Sequence, residues 1–306
     1  MRRFHGFRQI AGVRTSVYDS GVRPGRPAIV MVHGGDPRSL ANGLDWSSVW
    51  APDALDARLI AYDKPGQGYS YEPGMAASAA GIPALAAHLE ELVEDLDAPV
   101  VLMGHSRGAL PVAQLALRRP ELIAGLVLVS SNTLAPPSDA TPADFYPRAY
   151  ADPPAVLDEV YLRREPEMNS VTTAHVDRAF LDGRREPAEQ TGWWDDLSHR
   201  RRMYDEIVPA FDAERQQVLA AIRDEGFRMP VLQIWGGGDI SAPVVLAHSL
   251  FEMVSRRTED ATGVILAGAA HYVYREFPER FLAYLSGFLG CLSPEASVGA
   301  GSLTVP

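Results

Sequence analysis

The stretch VLMGHSRGAL (101–110) places a hydroxyl between two glycines just beyond an apolar run. Ser106 is therefore a candidate nucleophile, with Gly104 and Gly108 two residues to either side. A serine attacks a carbonyl carbon only when a base accepts its proton and a third group orients that base. For a serine on a strand-to-helix turn, the acid and then the histidine follow it along the chain. His271 fits the base, because it follows the apolar run TGVILA through a loop of small residues and precedes a helical pattern. His175 and His199 fall in an irregular region, and His248 falls inside a helical pattern. PVLQIWGGGD (230–239) ends an apolar run in three glycines and Asp239, a carboxylate placed to reach the far nitrogen of the imidazole. Asp260 precedes its run and so belongs at the opposite end, while Ser131 and Asn132 offer no carboxylate. Charge developing on a carbonyl oxygen needs two N–H donors. The backbone of Arg107 is one expected donor, and the turn His33-Gly34-Gly35 supplies the other, with Gly35 the first choice and Gly34 the second. The Arg107 side chain is expected to be structural, paired with a carboxylate behind the turn.

These residues sit at the ends of short runs rich in β-branched residues: AIVMVH (28–33), RLIAYD (58–63), PVVLMG (99–104), AGLVLVS (124–130), PVLQIW (230–235) and TGVILA (262–267). Nearly unbroken apolarity marks strands covered on both faces. Helical spacing lies between them, over 82–96, 106–119 and 275–289, the last with Pro278 in its first turn. The alternation gives an α/β fold, a mostly parallel doubly wound sheet, led by an antiparallel hairpin over 7–21. It fails between 134 and 226, where Pro, aromatic and charged residues dominate and helical patterns are short. The expected organisation is a core over 1–133 and 227–290, a mainly helical cap over 134–226, and a flexible tail over 291–306. Within the cap, Trp193 and Trp194, with Phe145, Tyr146, Tyr150 and Tyr204, read either as an aromatic substrate pocket or as the segment's own core, and Tyr272 beside the histidine is a further pocket candidate. The run Arg200-Arg201-Arg202 reads either as a grip on a substrate carboxylate or as a solvated face.

The 306 residues carry a formal net charge of −11, which argues against nucleic acid or an anionic membrane as the main partner. Cys291 is the only cysteine and Lys64 the only lysine, so neither an intrachain disulfide nor a zinc spacing is available. There is no secretory leader pattern and no long apolar span. A cytoplasmic protein acting on a small molecule without cofactor or metal is expected, and a homo-oligomer stays open.

HGG (33–35), DKPGQGYS (63–70), GHSRG (104–108), GGGD (236–239) and the late His271 occur in the order of the α/β-hydrolase superfamily, which the chain resembles from about residue 7 to 290. HGGDPRSLANGLDW, DKPGQGYS, GHSRGALPVAQLAL and SSNTLAP are similar to a bacterial branch, the meta-cleavage product hydrolases. That resemblance implies a Ser-His-Asp triad and cleavage of a C–C bond in a vinylogous diketone. Better-known members carry HGxGPG and an asparagine before the serine; here Asp36-Pro37-Arg38 follow HGG and His105 precedes Ser106. The expected function is a serine hydrolase acting on a small, largely apolar carbonyl substrate. A carboxylesterase, lactonase or thioesterase is the alternative reaction, and a non-catalytic ligand-binding protein the alternative class. Serine at 106 disfavours the dehalogenase and epoxide hydrolase readings, which need a carboxylate there.

Overall fold

The computed structural model describes residues 1, 4–96 and 99–292. Eight strands form one sheet: β1 (His5–Ile10), β2 (Val13–Asp19), β3 (Ala28–Val32), β4 (Arg58–Tyr62), β5 (Val100–His105), β6 (Ile123–Val129), β7 (Val231–Gly236) and β8 (Ala261–Leu266). Their order is β1-β2-β4-β3-β5-β6-β7-β8. β1 and β2 form the antiparallel hairpin, β2 joins β4 antiparallel, and every later pairing is parallel.

The unbroken apolar runs are strands with both faces buried, and their alternate side chains enter different layers. Val30, Val32, Leu102, Leu126 and Leu128 point into one layer. Ile29, Met31, Val101, Met103, Val127 and Val129 point into the other. The helices before the long connection are α1 (Pro52–Leu55), α2 (Ile82–Glu94) and α3 (Ala109–Arg118). Leu85, Leu89, Leu92 and Ala113 of α2 and α3 fill the first layer.

Between β6 and β7 the chain forms α4 (Phe145–Ala149), α5 (Glu159–Met168), α6 (Arg178–Gln190) and α7 (Leu197–Glu225). Here the expectation of short helices fails, because α7 runs for 29 residues through Pro209. Its two halves have separate neighbours. Met203 and Ile207 pack with Ala77 and Ala80, whereas Val218 and Ile222 join the first core layer. After β7 come α8 (Val244–Ser255), α9 (Val273–Glu276) and α10 (Pro278–Cys291), with Phe281, Leu285 and Leu289 closing the second layer. The helix expected over 275–289 is thus divided at Phe277, with Pro278 at the first position of α10, where a missing N–H costs nothing. Of the tail expected over 291–306, Cys291 is the last residue of α10, and residues 293–306 lie outside the described residues. No helix among the described residues is long and apolar enough to cross a membrane.

The parallel strands all run one way, so the residues just after β3, β5, β6, β7 and β8 gather at one edge of the sheet. Crevices at that edge are where such sheets bind ligands.

Candidate active site

Ser106 follows β5 directly and holds a φ of +52°, a left-handed backbone that costs a non-glycine residue of order 1 kcal/mol or more. The turn is held from both sides. A Cβ on Gly104 would stand 2.6 Å from the Cα of Ala109, and one on Gly108 would stand 2.5 Å from the carbonyl oxygens of Val32 and His33. These glycines let α3 begin against β3 and β5 at a distance no side chain permits. Below the turn, the Ser131 hydroxyl donates to the Ser106 carbonyl at 2.7 Å, and the Thr133 hydroxyl donates to it at 3.3 Å.

His271 lies five residues beyond β8 and Asp239 three beyond β7, and the register of these neighbouring strands brings them together. The His271 Nδ1 stands 2.7 Å from the Asp239 Oδ2. The other oxygen, Oδ1, accepts from the Ala242 N–H at 2.7 Å and from the Ser241 hydroxyl at 3.1 Å, which fixes the carboxylate. Burial opposes a charge on His271, yet the Asp239 carboxylate, with Glu165 and Glu276 farther off, outweighs it and holds the imidazole above its ordinary pKa. With Nδ1 donating to Asp239, Nε2 is the proton acceptor. The backbone of His271 is tied on both sides: its N–H donates to the Asn169 carbonyl at 3.0 Å, and its carbonyl accepts from the His105 Nε2 at 3.0 Å. His105 is kept neutral by burial first and by His271 second.

The turn after β3 closes the site. The His33 Nδ1 donates to the Gly34 carbonyl at 2.8 Å, and its Nε2 accepts the Lys64 N–H at 3.0 Å, so His33 is structural. The Lys64 ammonium donates to the Gly35 carbonyl at 2.8 Å. Burial, with repulsion from Arg107, brings Lys64 down to a pKa of about 7. Gly35 has a φ of +77°. A Cβ on Gly34 would lie 2.9 Å from the Ser106 Cβ, so this glycine packs directly on the serine side chain.

Ser106, His271, Gly34, Gly35, Arg107 and Tyr272 line one cavity of about 140 Å³. A cavity of that size holds roughly one benzene-sized ring. The β6–β7 segment contributes Tyr146, Tyr150, Glu165 and Tyr204 to its walls. His199 and His248 are not among the lining residues, while His175 packs its ring 5.7 Å from that of Tyr272.

Three expectations need correction. Trp193 and Trp194 do not line the cavity. Both are buried in the second core layer, where Trp193 carries the Arg200 guanidinium at 3.1 Å and Trp194 meets Tyr161 edge-on at 5.1 Å. Arg200 is neither a substrate grip nor a solvated residue, being fully buried, whereas Arg201 and Arg202 are exposed. Among the described residues the Arg107 side chain has no carboxylate within 4 Å; its charge acts on Asp36, Tyr146 and Tyr204 of the cavity wall, and its Cζ stands 4.1 Å from the centre of the Phe211 ring. Charged side chains also reach the lining, among them Asp36, Arg38, Asp45, Arg107 and Glu165.

Sequence reasoning missed a buried charge network at the cavity wall. The Arg184 guanidinium donates to both Asp45 carboxylate oxygens at 2.9 and 3.1 Å and to Glu165 at 3.2 Å. The Tyr272 hydroxyl accepts from Arg184 at 2.8 Å and donates to Glu165 at 2.6 Å. Burial would raise Glu165, but Arg184 and the Tyr272 and Asn169 hydrogen bonds keep its carboxyl below the ordinary range. The one sequence signal is Arg184 on the face of α6 that also carries Phe180 and Leu181.

Among the described residues, no group of His, Cys, Asp and Glu is arranged to hold a metal. A family model described as "Alpha/beta hydrolase family" matches residues 29–284. A 2-hydroxymuconate semialdehyde hydrolase from a Pseudomonas species is 26% identical, covering 91% of this chain and 91% of that one. A pimeloyl-[acyl-carrier protein] methyl ester esterase from Yersinia pseudotuberculosis is 24% identical over 85% of this chain and 92% of its own. Among solved structures, the meta-cleavage product hydrolase CumD from Pseudomonas fluorescens superposes with a TM-score of 0.69 at 19% identity, over 95% of this chain and 99% of that one.

Proposed function

This chain belongs to the alpha/beta hydrolase family, and from that premise we propose that it is a serine hydrolase of small carbonyl substrates. The observation that carries the reading is a serine at positive φ sharing one cavity with an imidazole bound to a buried carboxylate. In this reading the Ser106 Oγ attacks the carbonyl carbon while the His271 Nε2 takes its proton. Asp239 holds the imidazole in the required tautomer and stabilises the imidazolium. The oxyanion that forms is met by the N–H groups of Arg107 and Gly35, with Gly34 the second choice for the latter. His271 then protonates the leaving group, and water repeats the sequence on the acyl-enzyme. The segment 134–226 serves as the cap that keeps water out.

The scissile bond is C–O in a small ester or C–C in a ketone. The relatives named as a methyl ester esterase and as a semialdehyde hydrolase stand behind these two options. A side-by-side assay of short-chain 4-nitrophenyl esters and a phenyl-substituted dienoate separates them. A fluorophosphonate should label the wild-type chain and not Ser106→Ala. Equal slow rates in both chains with no labelling would discard the enzyme and leave the ligand-binding class.

A further inference from the structure

The side chain that follows the nucleophile is an arginine facing the cavity, and its charge is not met by a carboxylate. Among the described residues, Arg107 makes no ion pair within 4 Å and no side-chain hydrogen bond; its guanidinium carbon sits over the Phe211 ring of α7, 4.1 Å from the ring centre. A ring covers one face of a guanidinium and leaves its N–H edge available, and that edge matches a carboxylate with two parallel bonds.

The neighbouring charges do not supply one. Asp36 is the opposite charge that acts on it most strongly but is already taken by Arg38, whose N–H, Nε and Nη2 reach it at 2.8, 3.2 and 2.9 Å. Arg38 is itself fixed over the Tyr204 ring at 3.2 Å. Glu214, on the same helix as Phe211, feels the charge of Arg107 but accepts its hydrogen bond from the backbone of Ile82. Across the cavity, Asp45 and Glu165 are engaged by Arg184. Arg38 thus holds the carboxylate on this wall and Arg184 holds the two opposite, so Arg107 is the guanidinium of this group left without a carboxylate within 4 Å among the described residues. A largely buried cation without a partner costs free energy that a bound anion can recover.

We propose that the Arg107 guanidinium is the receptor for an anionic group, a carboxylate, on a small carbonyl substrate. This deepens the serine-hydrolase reading and rests on it. The nucleophile and the specificity-determining cation are consecutive residues, so the carboxylate must lie within a few bonds of the scissile carbonyl. The cavity, about 140 Å³, sets the size of that substrate near a single ring or a short chain.

Two probe pairs differing in charge but hardly in shape test the proposal. One is 4-acetoxybenzoate against 4-acetoxybenzamide, with the charge on the leaving group; the other is phenyl hydrogen succinate against phenyl succinamate, with the charge on the acyl group. In at least one pair, the anion-to-amide ratio of kcat/KM should fall roughly tenfold to hundredfold from wild type to Arg107→Leu, the worth of a hydrogen bond to a charged group. Arg107→Lys should retain part of the ratio. If Arg107→Leu does not fold, Arg107→Gln carries the same comparison, since it keeps a polar stem over Phe211. Calorimetric binding of 4-hydroxybenzoate against 4-hydroxybenzamide, and of succinamate against succinamide, gives an arm that needs no turnover. There the wild-type chain should prefer the anion of at least one pair tenfold, and Arg107→Gln should lose the preference. That arm reads the receptor even if Ser106→Ala still turns over, so failure of the anion site and failure of the nucleophile are told apart. A preference below tenfold in both pairs, or one that survives the loss of Arg107, overturns the proposal.

Discussion

At the strand ends a side chain's place follows from the register of the sheet, while in the segment between β6 and β7 it follows from charge pairs made across long stretches of chain. His271 meets Asp239 because β7 and β8 are neighbours paired residue by residue. Arg184 meets Asp45 across 139 residues, and Tyr272 meets Glu165 across 107. The first arrangement repeats a backbone pattern that apolar runs announce. The second depends on how the helical segment settles on the sheet, so its energetics are those of buried ion pairs. Variants in the two regions should therefore fail in different ways.

The largest effect belongs to the strand ends. Asp239→Asn should lower kcat by about 10⁴-fold with the fold intact, because the imidazole loses the acceptor that sets its tautomer. The same variant has a readable pH signature. The carboxylate holds His271 above its ordinary pKa, so the acidic limb of kcat/KM in the wild-type chain should lie above pH ~6.5. Rate is lost there as falling pH protonates the base, and removing the carboxylate moves the residual limb to lower pH. A limb that stays in place would separate His271 from the chemistry.

The next effect falls on stability in the other region. Arg184→Leu leaves Asp45 and Glu165 buried with no guanidinium between them and should cost about 3–5 kcal/mol in denaturant unfolding. Leu102→Ala, in the centre of the first core layer, should cost a similar ~2–5 kcal/mol through a cavity. The contrast lies in what restores each loss: a larger apolar residue repairs position 102, whereas only a cation repairs position 184. A loss below about 1 kcal/mol for Arg184→Leu would put the segment's anchorage elsewhere.

This difference also explains what could be read from the chain alone. The strands, the positive-φ serine between Gly104 and Gly108, and the Asp239–His271 pair are local patterns at the ends of apolar runs, and they were legible. The 29-residue α7 was not, because Pro209 interrupts its periodicity and its halves bury different faces against different neighbours. The direction of Arg107 was hidden for a related reason. Its backbone position follows from the turn, but its side chain answers to Phe211, which α7 delivers. Trp193 and Trp194 are apolar enough for either a pocket or a core, and composition does not choose. Trp193→Leu should therefore cost about 2 kcal/mol of stability while leaving the ranking of substrates unchanged. A changed ranking would show that the core of this segment and the cavity wall are mechanically one unit.

The smallest effect, and the sharpest contrast with Arg184, is expected at Arg200. Both guanidiniums are buried, but Arg184 is held by two carboxylates while Arg200 is not. The Arg200 Nη1 reaches the Arg38 carbonyl only at 3.5 Å, and its Nε and Nη2 have no partner among the described residues. Burial draws its pKa down to about 9 against the pull of Tyr71, Tyr161 and Asp196, so at neutral pH it carries a charge with two donors unmet. What it gains is the stack on Trp193, worth about 2 kcal/mol at most for a desolvated cation. An apolar side chain of similar length keeps that packing and removes the unmet donors. Arg200→Met should then be neutral or raise stability by about 1–2 kcal/mol at pH 7, measured by denaturant unfolding at unchanged m-value. A loss above about 2 kcal/mol would place Arg200 with Arg184 as an anchoring cation and erase the distinction between paired and unpaired charge in this segment.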